Sequence, residues 1–195
     1  GAQIIPPYDK LIIDKVNGIT DFSSIKKIDK ERAIKEGLFV KVGKEIDDAY
    51  IAAVEKCVID KDVIARYAKD IKIVYTPLNG TGKVPVLRVL KELGFENVYT
   101  VKEQSEPDGN FPTLKYPNPE DPAAFDLALK LAREVKADIV LATDPDADRL
   151  GVYSVTENGE YAAFNGNMSG CFCSNTNCRE EKKKGFCPKI PQTAR

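Results

Sequence analysis

The stretch that decides the fold is residues 138–149, which read DIVLATDPDADR. Its first half is apolar at four consecutive positions, 139–142, instead of at alternate ones. A continuous apolar run of this length is typical of a β-strand that is covered on both faces of a sheet. The second half carries three aspartates, Asp144, Asp146 and Asp148. The stretch therefore predicts a central, buried strand that runs directly into an acidic loop.

Two strands and two helices are predicted before this central strand. The β-rich run 71–76 stops at a loop of Pro, Asn and Gly residues, and a second strand is predicted at 97–101. Apolar residues at helical spacing predict one helix over 85–94 and another over 121–135. The order strand, helix, strand, helix, strand implies an α/β fold, with a mostly parallel sheet, right-handed crossovers and helices on both faces.

Elements on either side complete this predicted fold. Residues 151–155 and 161–164, joined through Asn158-Gly159, predict an antiparallel hairpin at one edge of the sheet. Apolar residues at helical spacing in 8–19 and 45–58 predict a helical segment that precedes the sheet.

The composition narrows the possible functions. Lys and Arg number 29 against 30 Asp and Glu, so the net charge gives no reason to expect nucleic acid as a partner. The chain has no histidine, which excludes histidine-based catalysis and histidine zinc sites within it. No apolar run approaches the roughly 20 residues of a membrane span, and residues 1–7 do not resemble a secretory signal. We expect a cytoplasmic protein that binds neither a membrane nor nucleic acid.

The acidic loop follows the carboxyl end of the central strand, where ligands bind in open α/β sheets. Three carboxylates at alternate positions repel one another unless a cation lies among them, and Mg²⁺ takes oxygen ligands at about 2.1 Å. On a straight strand Asp144 and Asp148 would lie about 13 Å apart, so a shared ion requires the loop to curl. The residues predict Mg²⁺ among Asp144, Asp146 and Asp148, with Arg149 offsetting the remaining charge; a solvated acidic turn is the alternative.

Two other motifs, a calcium-binding loop and a nucleotide-binding loop, do not match the sequence. A calcium-binding EF-hand loop that begins at Asp144 needs Gly and Glu where Arg149 and Val155 stand. A nucleotide-binding P-loop needs Gly at Pro77 and Ser or Thr at Val84. A hydrophobic strand followed by Asp-x-Asp also suits Mg²⁺-dependent, aspartate-nucleophile phosphatases of the haloacid dehalogenase type. Such a phosphatase and a non-catalytic interaction module remain the alternative functions.

Three motifs follow one another along the chain: Thr76-Pro77-Leu78-Asn79-Gly80-Thr81-Gly82, then Asp144-Pro145-Asp146-Ala147-Asp148-Arg149, then Asn165-Gly166-Asn167. In this order and spacing they resemble the second domain of the α-D-phosphohexomutases, the family of phosphoglucomutases and phosphomannomutases. The resemblance runs from about Gly1 to Gly170. It implies a helical segment over 1–69 from the end of the family's first domain and its linker, and an α/β metal-binding domain over 70–167.

The resemblance also implies a function. The family consists of intramolecular phosphotransferases, in the isomerase class, that move phosphate within a hexose phosphate through a phosphoserine with Mg²⁺ as cofactor. It implies that Asp144, Asp146 and Asp148 bind Mg²⁺ and that Arg149 is catalytic, near the transferring phosphoryl group. The family's phosphoserine segment, Ser-His-Asn-Pro, would precede Gly1. We therefore expect an inactive fragment of a phosphohexomutase whose partner, in the full-length enzyme, is a hexose phosphate; the sequence does not indicate an oligomeric state.

Two parts of the chain depart from the family pattern. Asn79 stands where the family commonly has His, and its neighbours Gly80 and Gly82 are expected to serve backbone turns instead of contacting a ligand. In the segment 168–195 the family continues as an apolar helix, but this chain places four of its five cysteines there. Their spacing lacks a Cys-x-x-Cys pair, which disfavours zinc. We hypothesise a frameshift after about Gly170, and hence an aberrant, disordered tail over 168–195.

Overall fold

The computed structural model describes residues 3–183, which fall into two compact units that divide between Ile46 and Asp47. The smaller unit contains helices α1 (Tyr8–Asn17) and α2 (Lys30–Lys35). The Asp29 carboxylate caps the N-terminus of α2, where it accepts hydrogen bonds from the N–H groups of Glu31 and Arg32. No residue of α1 is buried within this structure. The smaller unit is thus helical, as the sequence predicts.

The larger unit is built on a five-stranded sheet. Its strands are β1 (Lys72–Thr76), β2 (Asn97–Thr100), β3 (Ile139–Thr143), β4 (Leu150–Val155) and β5 (Tyr161–Phe164), and their order across the sheet is β2-β1-β3-β4-β5. Strand β1 pairs parallel with β2 and β3, whereas β4 is antiparallel to both β3 and β5. Four of the five strands therefore point the same way. The predicted central strand and edge hairpin are both confirmed.

Helices α5 (Lys83–Glu92) and α6 (Asp126–Val135) connect the three parallel strands. The chain moves outward from β1 to β2 and then returns to β3 on the far side of β1, so right-handed crossovers place the two helices on opposite faces. The side chains agree with this arrangement. Val74 and Val140 belong to the buried cluster that includes the α6 residues Ala128 and Ala132, whereas Tyr75 lies beside Gly82, which precedes α5.

Local signals in the sequence mark where these two helices begin and end. The Asp121 side chain accepts a hydrogen bond from the N–H of Ala123, which starts a short 3₁₀ turn, Pro122–Phe125, leading into α6. Gly94 follows α5 with φ +90°, a conformation that favours glycine at the end of a helix. The helices predicted over 85–94 and 121–135 are both confirmed.

Two further helices precede β1 in the chain. Helix α3 (Lys44–Glu55) buries Ile51 and pairs Asp48 with Arg88 of α5, and α4 (Lys61–Tyr67) follows it. The compact unit therefore starts at Asp47, whereas the sequence places the boundary between residues 69 and 70. Hydrophobic spacing predicts α3 as a helix but does not reveal what it packs against.

The predicted disordered tail over 168–195 needs correction as far as Lys183. Helix α7 occupies Gly166–Lys183. The Asn165 side chain caps its N-terminus by accepting a hydrogen bond from the N–H of Met168 at 2.9 Å. Residues 184–195 lie outside the described part of the chain. Among residues 3–183, no helix is long and apolar enough to cross a membrane.

Candidate metal centre

The candidate site lies where β1 and β3 end side by side. These neighbouring strands are parallel, and the helices that follow β1 and precede β3 lie on opposite faces of the sheet. A crevice forms at such a switch point, outside the carboxyl ends of the strands. The loop after β1, residues 77–82, and the acidic loop after β3, residues 144–149, meet there. The topology thus brings together two motifs that are more than 60 residues apart in the chain.

The acidic loop curls as a shared ion requires. The N–H of Ala147 donates to the carbonyl oxygen of Asp144 at 3.0 Å, and Ala147 adopts φ +60°, which turns the backbone back on itself. As a result, one carboxylate oxygen from each of Asp144, Asp146 and Asp148 lies within 4.8 Å of the others. The structure therefore brings the three sequence-predicted aspartates together.

Asp144 is the buried member of the three and is held by Arg149. Its side chain is 0% exposed, and its two oxygens accept hydrogen bonds from the Arg149 N–H at 3.0 Å and from Arg149 Nε at 2.7 Å. Burial alone would raise the pKa of Asp144, but the bonds and the charge of Arg149 outweigh burial and lower this pKa below its ordinary value. Asp144 is therefore a fixed anion at neutral pH.

Asp148 has the opposite electrostatic environment. Its side chain is 73% exposed, and Arg149 Nε lies 3.8 Å from its carboxylate, farther than from that of Asp144. The negative charges of Asp146 and Asp144 raise the pKa of Asp148. The cluster thus carries more negative charge than Arg149 neutralises, and a cation placed among the three carboxylates would relieve the repulsion.

The donor set fits a magnesium ion. Mg²⁺ requires nearly octahedral oxygen ligands at about 2.1 Å, so opposite ligands are about 4.2 Å apart. The three carboxylate oxygens are within 4.8 Å of one another, and a bound ion would draw them closer by up to about 2 Å, since neighbouring octahedral ligands are about 3 Å apart. Each carboxylate oxygen has two lone pairs, so the hydrogen bonds from Arg149 leave Asp144 able to accept a further partner. Asp144, Asp146 and Asp148 would hold the ion.

The loop after β1 contacts the acidic loop closely. A Cβ atom added to Gly80 would lie 2.3 Å from the Pro145 Cα, and one added to Gly82 would lie 2.6 Å from both the Thr143 Oγ1 and the Tyr75 Oη. The φ values of both glycines are not in the left-handed region, so close approach, and not a turn, requires them. Both glycines therefore serve close packing between the two loops, and not the backbone turns expected from the sequence.

Asn79 has a role that sequence reasoning missed. It is 5% exposed, its N–H donates to the Gln104 carbonyl at 2.8 Å, and its side-chain amide donates to the carbonyls of Glu103 and Glu106. The backbone carbonyl of Asn79 accepts a hydrogen bond from the N–H of Asp108 at 3.1 Å. Asn79 therefore attaches the segment 103–108 to the loop after β1. The signal in the sequence was a polar residue directly before a glycine, and Asn79 indeed adopts φ +59°.

Two clefts open beside the acidic loop. One, of about 480 Å³, is lined in part by Arg149, Asn165 and Asn167. The other, of about 390 Å³, is lined in part by Asp146 and Arg88. The Arg149 side chain is 48% exposed although its Nε is bonded to Asp144. Arg149 can thus anchor Asp144 and face an open cleft at the same time.

Comparison with known proteins identifies the family. The sequence model described as "Phosphoglucomutase/phosphomannomutase, alpha/beta/alpha domain II" matches residues 48–158, more than half of the chain. The chain belongs to the phosphoglucomutase/phosphomannomutase family. The matched region contains β1 to β4 and both loops of the candidate metal centre, so the family resemblance and the fold class expected from the sequence are confirmed.

Several members of this family are similar to the chain. A phosphoglucomutase of Staphylococcus saprophyticus is 37% identical over 170 residues, which cover 87% of this chain and 30% of that protein. A probable phosphomannomutase of Haemophilus influenzae is 35% identical over 175 residues, which cover 88% of this chain and 33% of that protein. The chain thus spans about a third of the length of these relatives.

Two solved structures of this family also match. A protein of Thermus thermophilus, described as a "putative phosphomannomutase", is 24% identical, with a TM-score of 0.47 over 60% of this chain and 25% of that one. A phosphoglucomutase/phosphomannomutase family protein from Burkholderia thailandensis is 32% identical, with a TM-score of 0.37 over 51% of this chain and 23% of that one.

Proposed function

We propose that this chain supplies the magnesium-binding centre of a phosphohexomutase, an enzyme that moves phosphate between positions of a hexose phosphate. The observation that carries the proposal is the convergence of Asp144, Asp146 and Asp148 beside Arg149 at the carboxyl edge of the sheet. Membership of the phosphoglucomutase/phosphomannomutase family supports the same reaction class.

Charge complementarity explains what each residue would do. Three carboxylates with a divalent cation and Arg149 sum to no net charge, so the centre can accept the charge that develops on a phosphoryl group. Bound Mg²⁺ would supply a Lewis acid that stabilises this charge. Arg149 would orient Asp144 through its Nε and present its exposed guanidinium edge to a phosphoryl oxygen, as planar donors suit phosphate.

The phosphoryl carrier would come from another part of the enzyme. The family resemblance implies a phosphoserine in a Ser-His-Asn-Pro segment, and these 195 residues contain no histidine. We therefore propose that the chain binds the ion but does not turn over a sugar phosphate by itself. The sugar preference would likewise depend on residues outside this chain.

The geometry weighs against the rival phosphatase. An aspartate nucleophile must be reached by a phosphoryl group, which is much larger than a metal ion, but the Asp144 side chain is 0% exposed. We expect the chain with Mg²⁺ to release no p-nitrophenol from p-nitrophenyl phosphate. Hydrolysis that disappears in Asp144→Asn would support the phosphatase instead.

A domain exchange tests the proposed function. Residues 48–158 would replace the matching region of the Staphylococcus saprophyticus phosphoglucomutase, and interconversion of glucose 1-phosphate and glucose 6-phosphate would be measured. We expect the chimera to be active with Mg²⁺ and its Asp146→Asn variant to lose about a hundredfold or more in kcat, since metal charge contributes several kcal/mol to such steps. A folded chimera whose activity survives Asp146→Asn would contradict the proposal.

A further inference from the structure

We infer that Thr81 is a positioning residue for the metal centre: it fixes the curl of the acidic loop by holding the Pro145 carbonyl from the neighbouring loop. The inference rests on the proposed metal centre. Thr81 would support that centre without contacting the ion.

Two hydrogen bonds from Thr81 converge on one atom. The Thr81 N–H donates to the Pro145 carbonyl oxygen at 2.9 Å, and the Thr81 hydroxyl donates to the same oxygen at 3.0 Å. Pro145 lies between the first two aspartates of the cluster and has no N–H of its own with which to hold the loop. The position of its peptide group therefore depends on Thr81.

The loop that carries Thr81 is itself held in place on both sides. Gly80 and Gly82 lie so close to Pro145 and to the Tyr75 and Thr143 hydroxyls that neither has room for a Cβ. The two hydroxyls contact each other at 2.9 Å across β1 and β3. Just before Gly80, Asn79 is attached to the segment 103–108. Thr81 is therefore presented from a fixed backbone.

This arrangement determines the spacing of the carboxylates. The Pro145 peptide links Asp144, which is buried and bound by Arg149, to Asp146, which is exposed. When one end of this link is fixed at Asp144, a shift of the Pro145 carbonyl moves Asp146 relative to Asp144. Groups that orient metal ligands without touching the ion commonly change metal affinity about 10- to 100-fold when they are removed.

The test compares Mn²⁺ affinity of variants of the chain, with the free ion measured by electron paramagnetic resonance. Thr81→Val keeps the side-chain shape and the N–H bond but removes the hydroxyl, and Thr81→Ser keeps the hydroxyl. Thr156→Val is the matched control, since the Thr156 hydroxyl donates to the Glu160 carbonyl at 2.9 Å in the exposed β4–β5 turn. We expect Thr81→Val to weaken Mn²⁺ binding about tenfold, and the other two variants to stay within about twofold of the unmodified chain.

The outcomes separate this inference from the proposed function. Equal affinity of Thr81→Val and the unmodified chain would overturn the role of Thr81 and leave the metal centre intact. Equal weakening in Thr81→Val and Thr156→Val would also overturn it, because the loss would then follow general stability. An unmodified chain that binds no Mn²⁺ would overturn the metal centre and this inference together.

Discussion

At the scale of single residues, the three aspartates differ more than their repeated pattern suggests. Asp144 is buried and bound by Arg149, whereas Asp148 is exposed and repelled by its neighbours. In the metal-free chain, Asp144→Asn is expected to lower the free energy of unfolding by about 2 kcal/mol, the typical cost of losing hydrogen bonds to a charged group. Asp148→Asn is expected to raise it, because the substitution removes repulsion. Urea unfolding of both variants measures these changes, and shifts of the same sign would contradict this account.

The pH dependence of the metal-free chain follows from the same asymmetry. The pKa of Asp144 is lowered from the ordinary 3.8, so its contribution to stability is complete above pH 3.8 and is lost as the pH falls through the lower, folded-state pKa. The pKa of Asp148 is raised, so its ionisation costs stability above that raised pKa and costs nothing below 3.8. Carboxyl ¹³C titration should show Asp148 titrating at higher pH than Asp144. The reverse order would be incompatible with the observed contacts.

At the scale of elements, Asn79 links two loops that support the site. Asn79→Ala removes the amide bonds to the carbonyls of Glu103 and Glu106 and is expected to cost about 2 kcal/mol of unfolding free energy, with faster proteolysis of the segment 103–108. Asn110→Ala is the control, because the exposed Asn110 amide bonds to the nearby Asp108 carboxylate. Equal proteolysis of the two variants would show that Asn79 does not hold the segment.

Gly151 of β4 packs tightly against the turn before α6. A Cβ added to Gly151 would lie 2.6 Å from the Pro119 carbonyl oxygen and 2.7 Å from the Phe125 ring. Gly151→Ala is therefore expected to lower the free energy of unfolding by about 2 kcal/mol through overpacking. Gly109→Ala, which adds its methyl group to open space, should change it by less than about 0.5 kcal/mol. Chemical unfolding that ranks the two variants alike would contradict this packing.

The order of strands and helices was the part of the fold that the sequence predicted best. A continuous apolar run identified β3, and apolar residues at helical spacing identified α5 and α6, because both patterns depend only on neighbouring residues. The junction of the two loops was not accessible, because the bonds from Thr81 to Pro145 join residues 64 positions apart. Likewise, composition suggested disorder after residue 168, but the Asn165 cap begins a helix there.

At the scale of the whole molecule, ion binding should stabilise the fold. A ligand that binds only the folded chain adds about 2.7 kcal/mol at a concentration about 100 times its Kd. For a chain of this size we expect the Tm to rise by about 5–10 °C at that Mg²⁺ concentration. The rise should vanish in Asp146→Asn, which removes an exposed ligand and leaves the Asp144 contacts with Arg149 unchanged. Calorimetry with a matched concentration of K⁺ controls for ionic strength.

Anomalous diffraction from crystals of the chain soaked in Mn²⁺ tests the central claim most directly. We predict one anomalous peak in the acidic loop, about 2 Å from one carboxylate oxygen of each of Asp144, Asp146 and Asp148. A loop without such a peak, or with the three side chains pointing apart into solvent, would contradict the account.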